Sequence, residues 1–151
     1  MKKLLLSFAA LLFGLSAFAQ SSEQISAILK SEKANCGQAS YLAATYTNSI
    51  SDTDSEKAAC EALKNAGYLP EGISADQEIN LAQLSYLFTK ALGIKGGLFY
   101  TLIPSPRYAY KELKARGVLP AESDPSMKIS GRDCLDLFNS CLEFAENKGA
   151  E

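Results

Sequence analysis

The sequence predicts an all-α protein, built as one small domain of helix-loop-helix repeats. Three observations carry this prediction: the chain has 151 residues, its apolar residues recur at helical spacing, and one segment returns 50 residues later. Apolar residues three and four positions apart line one face of a helix, whereas a half-buried strand would alternate them at every second position. After an N-terminal leader, we expect a single helical domain over residues 20–151.

The chain begins with the pattern of a cleavable secretory signal peptide. Two basic residues precede an apolar stretch over residues 4–15, and a small-residue motif ends at Ala19. A membrane-spanning helix is the alternative, but it needs roughly 20 apolar residues, and this stretch is shorter. We therefore predict a signal peptide over 1–19 and cleavage before Gln20. The product would be exported to the periplasm or cell envelope, without stable membrane insertion after cleavage.

The composition of the predicted mature chain argues against several classes of protein. Export removes two of the 15 basic residues, which leaves 13 against 17 acidic ones, a formal charge of −4. This balance argues against nucleic acid as a partner and against adhesion to anionic lipid, since both need clustered Lys and Arg. The chain has no histidine, which excludes Ser-His-Asp and Cys-His sites and the usual zinc sites. We expect a non-enzyme without a metal or other cofactor.

The predicted mature chain contains four cysteines, Cys36, Cys60, Cys134 and Cys141. Disulfides persist in exported proteins. Cys134 and Cys141 fall in one predicted helix, about 10.5 Å apart along its axis, whereas bridgeable Cα atoms lie within about 7 Å. Any bridge would therefore join Cys36 and Cys60 to each other or to the cysteines of the last helix. We favour a bridge between Cys36 and Cys60, which are closest in sequence and lie on different elements. The alternative is that all four are small buried apolar residues.

Two parts of the chain match each other at a distance of 50 residues. Residues 63–70 read LKNAGYLP and residues 113–120 read LKARGVLP, and the match continues through Ile79 over Ile129. Internal duplication of this kind indicates repeated structural units. We predict two clear helix-loop-helix units and one degenerate unit, with approximate bounds of 55–94, 105–147 and 22–48, respectively.

The ends of the predicted helices are marked in each unit. Gly67 and Gly117 stand where a left-handed C-terminal cap would end the first helix of each clear unit. Asn80 and Ser130 provide polar caps before the second helices, and Asn35 repeats this device in the degenerate unit. Apolar residues at helical spacing follow each polar cap, and we expect them to form the core.

Residues 94–104, with the sequence IKGGLFYTLIP, join the two clear units. This segment is too apolar for a free linker. We therefore expect it to pack against the domain as an irregular or short extended connector. Its two adjacent glycines indicate a tight turn, and the residues that would make a phosphate-binding loop do not follow them.

The order of these features resembles the S-layer homology (SLH) repeat. In both, a helix ends in Gly-hydrophobic-Leu, a polar loop follows, and Ile with a polar cap opens a second apolar helix. The resemblance covers about 55–94 and 105–147 well and about 22–48 poorly. It implies an all-helical pseudo-trimer on a bacterial envelope, where members of that family bind cell-wall polysaccharide without catalysis.

One departure from the family pattern concerns the ligand site. The family's Ile-Thr-Arg-Ala-Glu motif supplies an Arg that meets the anionic wall polymer. The matching position holds Leu81, Gly131 and, in the degenerate unit, Cys36. Arg132 comes one place late, roughly 100° around the helix from the expected direction. The resemblance therefore implies the fold and the envelope setting, and not the family's ligand site.

The best candidate for a contact surface lies in the segment SPRYAYK at residues 105–111. Arg107, Tyr108, Tyr110 and Lys111 gather there within two helical turns, and mixtures of Arg and aromatic residues are common in recognition patches. In the alternative, both tyrosines pack inward, and Arg107 and Lys111 only form a solvent-exposed outer face. Arg132 is a further candidate for contact with a ligand or partner.

Together these features predict a non-catalytic module for binding or scaffolding at the bacterial cell envelope, in contact with cell-wall polysaccharide. A periplasmic adaptor that contacts another envelope protein is the alternative. An enzyme that uses carboxylates alone is a remoter one, and it would require an inward-facing pair of acids in a cleft.

Overall fold

The computed structural model of the chain describes residues 22–52 and 54–148, and this part is all-α, as the sequence predicts. The predicted signal peptide lies outside it. No helix in the described ranges is long and apolar enough to cross a membrane. Within these ranges the helices are α1 over residues 22–30, α2 Cys36–Tyr46, α3 Glu56–Asn65, α4 Leu81–Ala91, α5 Leu98–Leu102, α6 Pro106–Ala115 and α7 Gly131–Lys148.

Three helices form the centre of the fold. Helices α2, α4 and α7 contact one another, while α3 packs mainly on α2 and α6 mainly on α4. Leu84 and Phe88 of α4 and Cys134 of α7 are completely buried. The Phe88 ring meets the Phe138 ring edge-on, with 5.0 Å between the ring centroids. The core therefore follows the apolar stripes that helical spacing predicts.

Polar caps start the central helices as the sequence predicts. The Asn35 side chain accepts a hydrogen bond from the N–H of Gln38 at 2.8 Å, and the Gln38 side chain accepts one from the N–H of Asn35 at 3.2 Å. Asn80 and Gln83 repeat this capping box at 2.9 and 3.0 Å. Ser130 caps α7 by accepting from the third helical N–H at 3.1 Å. These bonds satisfy donors that a first helical turn leaves free.

Glycine ends α3 and α6 in the same conformation. Gly67 and Gly117 both have a φ of +74°, in the left-handed region that favours glycine. The next residue of each loop bonds back to the helix: the N–H of Tyr68 donates to the carbonyl of Leu63 at 2.9 Å, and α6 repeats this bond at 3.0 Å. The predicted helix ends are therefore confirmed in both clear units.

The segments before the three central helices meet in a cyclic set of backbone hydrogen bonds. We call residues 31–37, 75–82 and 125–131 the junction. In the first bond, the N–H of Cys36 donates to the carbonyl of Gln77 at 2.8 Å. In the second, the N–H of Leu81 donates to the carbonyl of Met127 at 2.9 Å, and in the third, the N–H of Gly131 donates to the carbonyl of Ser31 at 2.9 Å. Each segment bonds to the next and the third returns to the first, so the start of α7 is tied to the end of α1.

The connector between the two clear units differs from the prediction. It contains the short helix α5 rather than an extended segment, and most of its large apolar side chains face solvent. The physical reason is the length of α5, because a helix of little more than one turn can turn only one face inward. Tyr100 occupies that face and is buried.

Candidate functional site

An exposed apolar patch surrounds α5. Leu98, Phe99, Leu102 and Ile103 are between 58% and 70% exposed, more than any other large apolar side chain in the described part of the chain. Single exposed apolar residues are common on proteins, whereas contiguous patches mark contact surfaces. Because these residues adjoin the predicted contact residues of α6, we call residues 95–111 the α5–α6 surface.

Tyr100 anchors α5 to the domain. Its ring packs against the backbone of Gly96, where a Cβ atom would lie 2.3 Å from Cδ1 of the ring. Burial, with a smaller contribution from the neighbouring Tyr86, raises the pKa of Tyr100 to about 12. The tyrosine therefore remains a neutral, inward-facing anchor while the rest of α5 stays outside.

A groove of about 380 Å³ lies between α5 and α6. The rings of Phe99 and Tyr108 stack across it, with centroids 6.1 Å apart and planes 11° from parallel. The Lys111 Nζ lies 5.7 Å from the centroid of the Tyr108 ring, within the range of a cation–π contact. Glu112 also lines the groove, and its carboxylate accepts from the Nε of Arg116 at 2.6 Å. The groove thus combines aromatic faces with the positive charge of Lys111 and a carboxylate that is paired with Arg116.

The structure brings together three of the four contact residues predicted on α6. Arg107 and Lys111 are exposed, and Tyr108 is half-buried at the groove. Tyr110 is buried instead, and its hydroxyl donates to the backbone carbonyl of Ser123. Placing Tyr110 on the contact surface is therefore wrong, because its position on the helix directs it inward beside the buried Ala109.

Arg132 lies exposed in the first turn of α7, which does not line this groove. The residue before it, Gly131, lies where no side chain fits. A Cβ atom on Gly131 would lie 1.8 Å from the carbonyl oxygen of Ile28. Only a glycine lets α1 approach so closely, so no side chain can extend from position 131.

Cys36 and Cys60 face each other between α2 and α3. Both side chains are buried and are not bridged, with 3.8 Å between the sulfur atoms, compared with about 2.05 Å in a disulfide. Burial, reinforced by the neighbouring Cys60, raises the pKa of Cys36 to about 12. Cys134 and Cys141 lie buried on the single helix α7. The predicted pairing stays a prediction, with which this geometry is compatible.

Two further grooves differ from the one beside α5. A groove of about 250 Å³ near Phe144 contains Lys95 and Arg116, and the Nε of Arg116 donates to Glu112 at 2.6 Å. Another of about 350 Å³ beside α7 is lined by Asp133 and Asp136. The second groove therefore presents carboxylates, and the first has a lysine but no pair of stacked rings. The stacked rings of Phe99 and Tyr108 beside a lysine distinguish the α5–α6 groove from both.

The sequence reasoning missed the exposed apolar residues of α5. A signal for them was present, because the chain has no acidic residue between Glu78 and Glu112, whereas Lys90, Lys95, Arg107 and Lys111 all fall in this interval. An apolar segment within an acid-free, basic stretch of an otherwise acidic chain marks a surface with its own partner.

No protein-family model, curated protein or solved structure matches this chain. Among its own residues, the feature most typical of a contact surface is the combination of aromatic rings and cations at the α5–α6 surface.

Proposed function

We propose that this protein is a non-catalytic, exported binding or scaffolding module of the bacterial cell envelope, and that its α5–α6 groove contacts anionic cell-wall polysaccharide. The observation that carries the proposal is the groove itself, where the stacked rings of Phe99 and Tyr108 lie beside Lys111. Arg107 does not line the groove, but it is exposed one helical turn before Lys111 on α6 and adds a second cation to the α5–α6 surface.

The chemistry of the groove suits an acidic glycan. Carboxylate or phosphate groups on such a polymer would accept charge-assisted hydrogen bonds from Arg107 and Lys111, and a guanidinium can bind them in bidentate fashion. Exposed aromatic rings offer apolar faces against which the C–H faces of sugar rings can pack. A volume of about 380 Å³ falls within the range of small-molecule sites and accommodates a short stretch of polymer.

The cyclic junction supports a three-unit, SLH-like interpretation of the fold. Its donors Cys36, Leu81 and Gly131 hold the same place in the three predicted units, and each donates to the following segment at 2.8 to 2.9 Å. The resemblance to the SLH repeat implies the same kind of arrangement, in which three units close around a centre. In this proposal the cations of α6 replace the motif Arg that the chain lacks.

Co-sedimentation with purified cell-wall sacculi tests the proposal, using the chain from Gln20 onward, which keeps every described element. We expect binding at low salt and at least a tenfold loss when Arg107→Ala and Lys111→Ala are combined. Lys57→Ala is the matched control, since it removes an exposed cation from α3 and should bind like the wild type. No co-sedimentation at low salt would reject wall binding.

The alternative is a periplasmic adaptor that uses the same surface for a protein. The exposed aliphatic side chains of α5 favour this second candidate, since apolar residues commonly lie at the centre of protein interfaces. Capture of one envelope protein by the wild type, lost in Tyr108→Ala, together with a negative sacculus experiment, would favour the adaptor.

A further inference from the structure

We propose that α5 is also a membrane-docking element, whose aliphatic edge enters the surface of a bilayer rich in anionic phospholipid. The aliphatic edge consists of Leu98, Leu102 and Ile103. This inference goes beyond the wall contact, because none of these three side chains lines the α5–α6 groove and the ligand is a lipid surface.

The aliphatic edge is strongly exposed to solvent. Leu98 and Leu102 are 70% and 67% exposed, although they belong to a helix that is anchored through Tyr100. Ile103, which directly follows this helix, is 58% exposed. An edge held outward on an anchored element can enter the boundary between headgroups and acyl chains without unfolding of the domain. Membrane binding of this kind grows with the apolar area that leaves water and with attraction to anionic lipid.

Basic residues flank the aliphatic edge along the chain. Lys95 precedes α5, and Arg107 and Lys111 follow it, all three exposed. None of the three forms an ion pair within the described residues. The nearest acid along the chain, Glu112, accepts from Arg116 at 2.6 Å. Lys111 lies over the Tyr108 ring, but no acid neutralises it, Lys95 or Arg107 within the described residues. All three can therefore attract anionic headgroups.

The charge near α5 is positive, although the net charge of the predicted mature chain is negative. A formal charge of −4 disfavours adhesion to anionic lipid, but this number averages over regions of opposite sign. The acid-free interval from residue 79 to 111 contains four basic residues. Since attraction decays within a Debye length of about 8 Å at physiological salt, a membrane at α5 responds chiefly to these local cations.

A second copy of the chain fits this surface less well than lipid. Standard protein interfaces use roughly 20 to 30 residues on each side, whereas the aliphatic edge has three. Two copies meeting through the same surface would also bring their basic residues against each other. A bilayer avoids both problems, because it accepts a small apolar wedge and supplies the opposite charge.

Vesicle binding tests the inference, with the chain from Gln20 onward to avoid insertion of the leader. We expect binding to vesicles of phosphatidylglycerol and phosphatidylcholine, weakening as salt rises, and little binding to phosphatidylcholine alone. Combining Leu98→Ser with Leu102→Ser should lower the partition coefficient at least tenfold, and Lys95→Glu should lower it about fivefold or more. Leu29→Ser, which changes an exposed leucine on α1, is the matched control and should bind normally.

Each other outcome contradicts the inference. No binding to either vesicle would overturn it, and equal binding by the double leucine variant would show that lipid contacts another surface. Self-association in sedimentation velocity that disappears in the double variant, without vesicle binding, would mean that a second copy covers α5. The double variant should keep its melting temperature and its co-sedimentation with sacculi, so failure of lipid docking is distinguishable from failure of the wall contact.

Discussion

Apolar side chains are buried at the junction, whereas they are exposed on the α5–α6 surface. Ile79 and Leu81 at the junction are buried, whereas Leu98 and Leu102 on α5 are about two thirds exposed. Burial of apolar area is the main favourable term in folding, so the junction and the helices that start there supply stability. The apolar residues of α5 contribute little to it, and their area remains available for a contact. Folding and binding are therefore separable by substitution.

The largest expected effect is at the junction. Gly131→Ala would place a Cβ atom 1.8 Å from the carbonyl oxygen of Ile28, so α1 must move and the bond from Gly131 to Ser31 would be lost. We expect the free energy of unfolding to fall by about 4 kcal/mol, at the upper end for one substitution. Urea denaturation followed by circular dichroism measures it.

Gly72→Ala is the control for that substitution. A Cβ atom at Gly72 would meet nothing within 4 Å, so the stability should stay within about 0.5 kcal/mol of the wild type. If Gly131→Ala cost less than about 1 kcal/mol, α1 would be free to shift and the junction would not be the stabilising centre described above.

Substitution of one buried and one exposed leucine compares the contribution of the two regions to stability. Leu84 is completely buried in α4, and Leu84→Ala should cost about 3 kcal/mol through lost burial and the cavity left behind. Leu98→Ala removes the same atoms from a side chain that is 70% exposed and should change stability by less than about 0.5 kcal/mol. Similar losses in the two variants would contradict the claim that α5 stands outside the folding core.

The pair of cysteines between α2 and α3 gives a third test. In an exported chain we expect Cys36 and Cys60 to form a disulfide. In this reaction each thiol loses a proton and an electron, and the disulfide of a thiol–disulfide oxidoreductase accepts both pairs and becomes a dithiol. The bridge should raise the free energy of unfolding by roughly 2 to 3 kcal/mol relative to the reduced protein. Because burial raises the pKa of Cys36 to about 12, the thiolate is scarce after folding, so oxidation should occur before the pair is buried.

Mass spectrometry of the denatured, non-reduced protein measures the state of the cysteines. We expect two alkylated thiols, at Cys134 and Cys141, and one bridge. Four alkylated cysteines in protein recovered from an oxidising compartment would reject the pairing. Cys36→Ala should then leave Cys60 open to alkylation after denaturation, which distinguishes this bridge from any other.

Much of the fold could be predicted because its signals are local. Asn35 and Asn80 bond to N–H groups three residues ahead, and Gly67 and Gly117 adopt the left-handed conformation that their places after a helix require. The apolar spacing of α4 determines which of its faces is buried. Each of these effects is complete within one or two helical turns, so the amino-acid order suffices to find it.

The candidate site was only partly predictable. The sequence placed Arg107, Tyr108 and Lys111 on one segment, but it left open whether the tyrosines face inward. In the structure, Tyr110 faces inward and Tyr108 lines the groove. It predicted that the connector would pack. Whether an apolar segment is covered depends on which elements lie near it in space, and spacing along the chain carries no such information.

The sequence by itself determined the helical class, the helix ends and the acid-free basic interval, since these depend on residue type and local order. The tertiary structure alone decided that the segments before α2, α4 and α7 would bond in a closed cycle. It also decided that Gly131 would meet α1 and that Phe99 of α5 would stack on Tyr108 of α6. The reason is physical: hydrogen bonds and ring contacts between distant segments form only after the helices have packed.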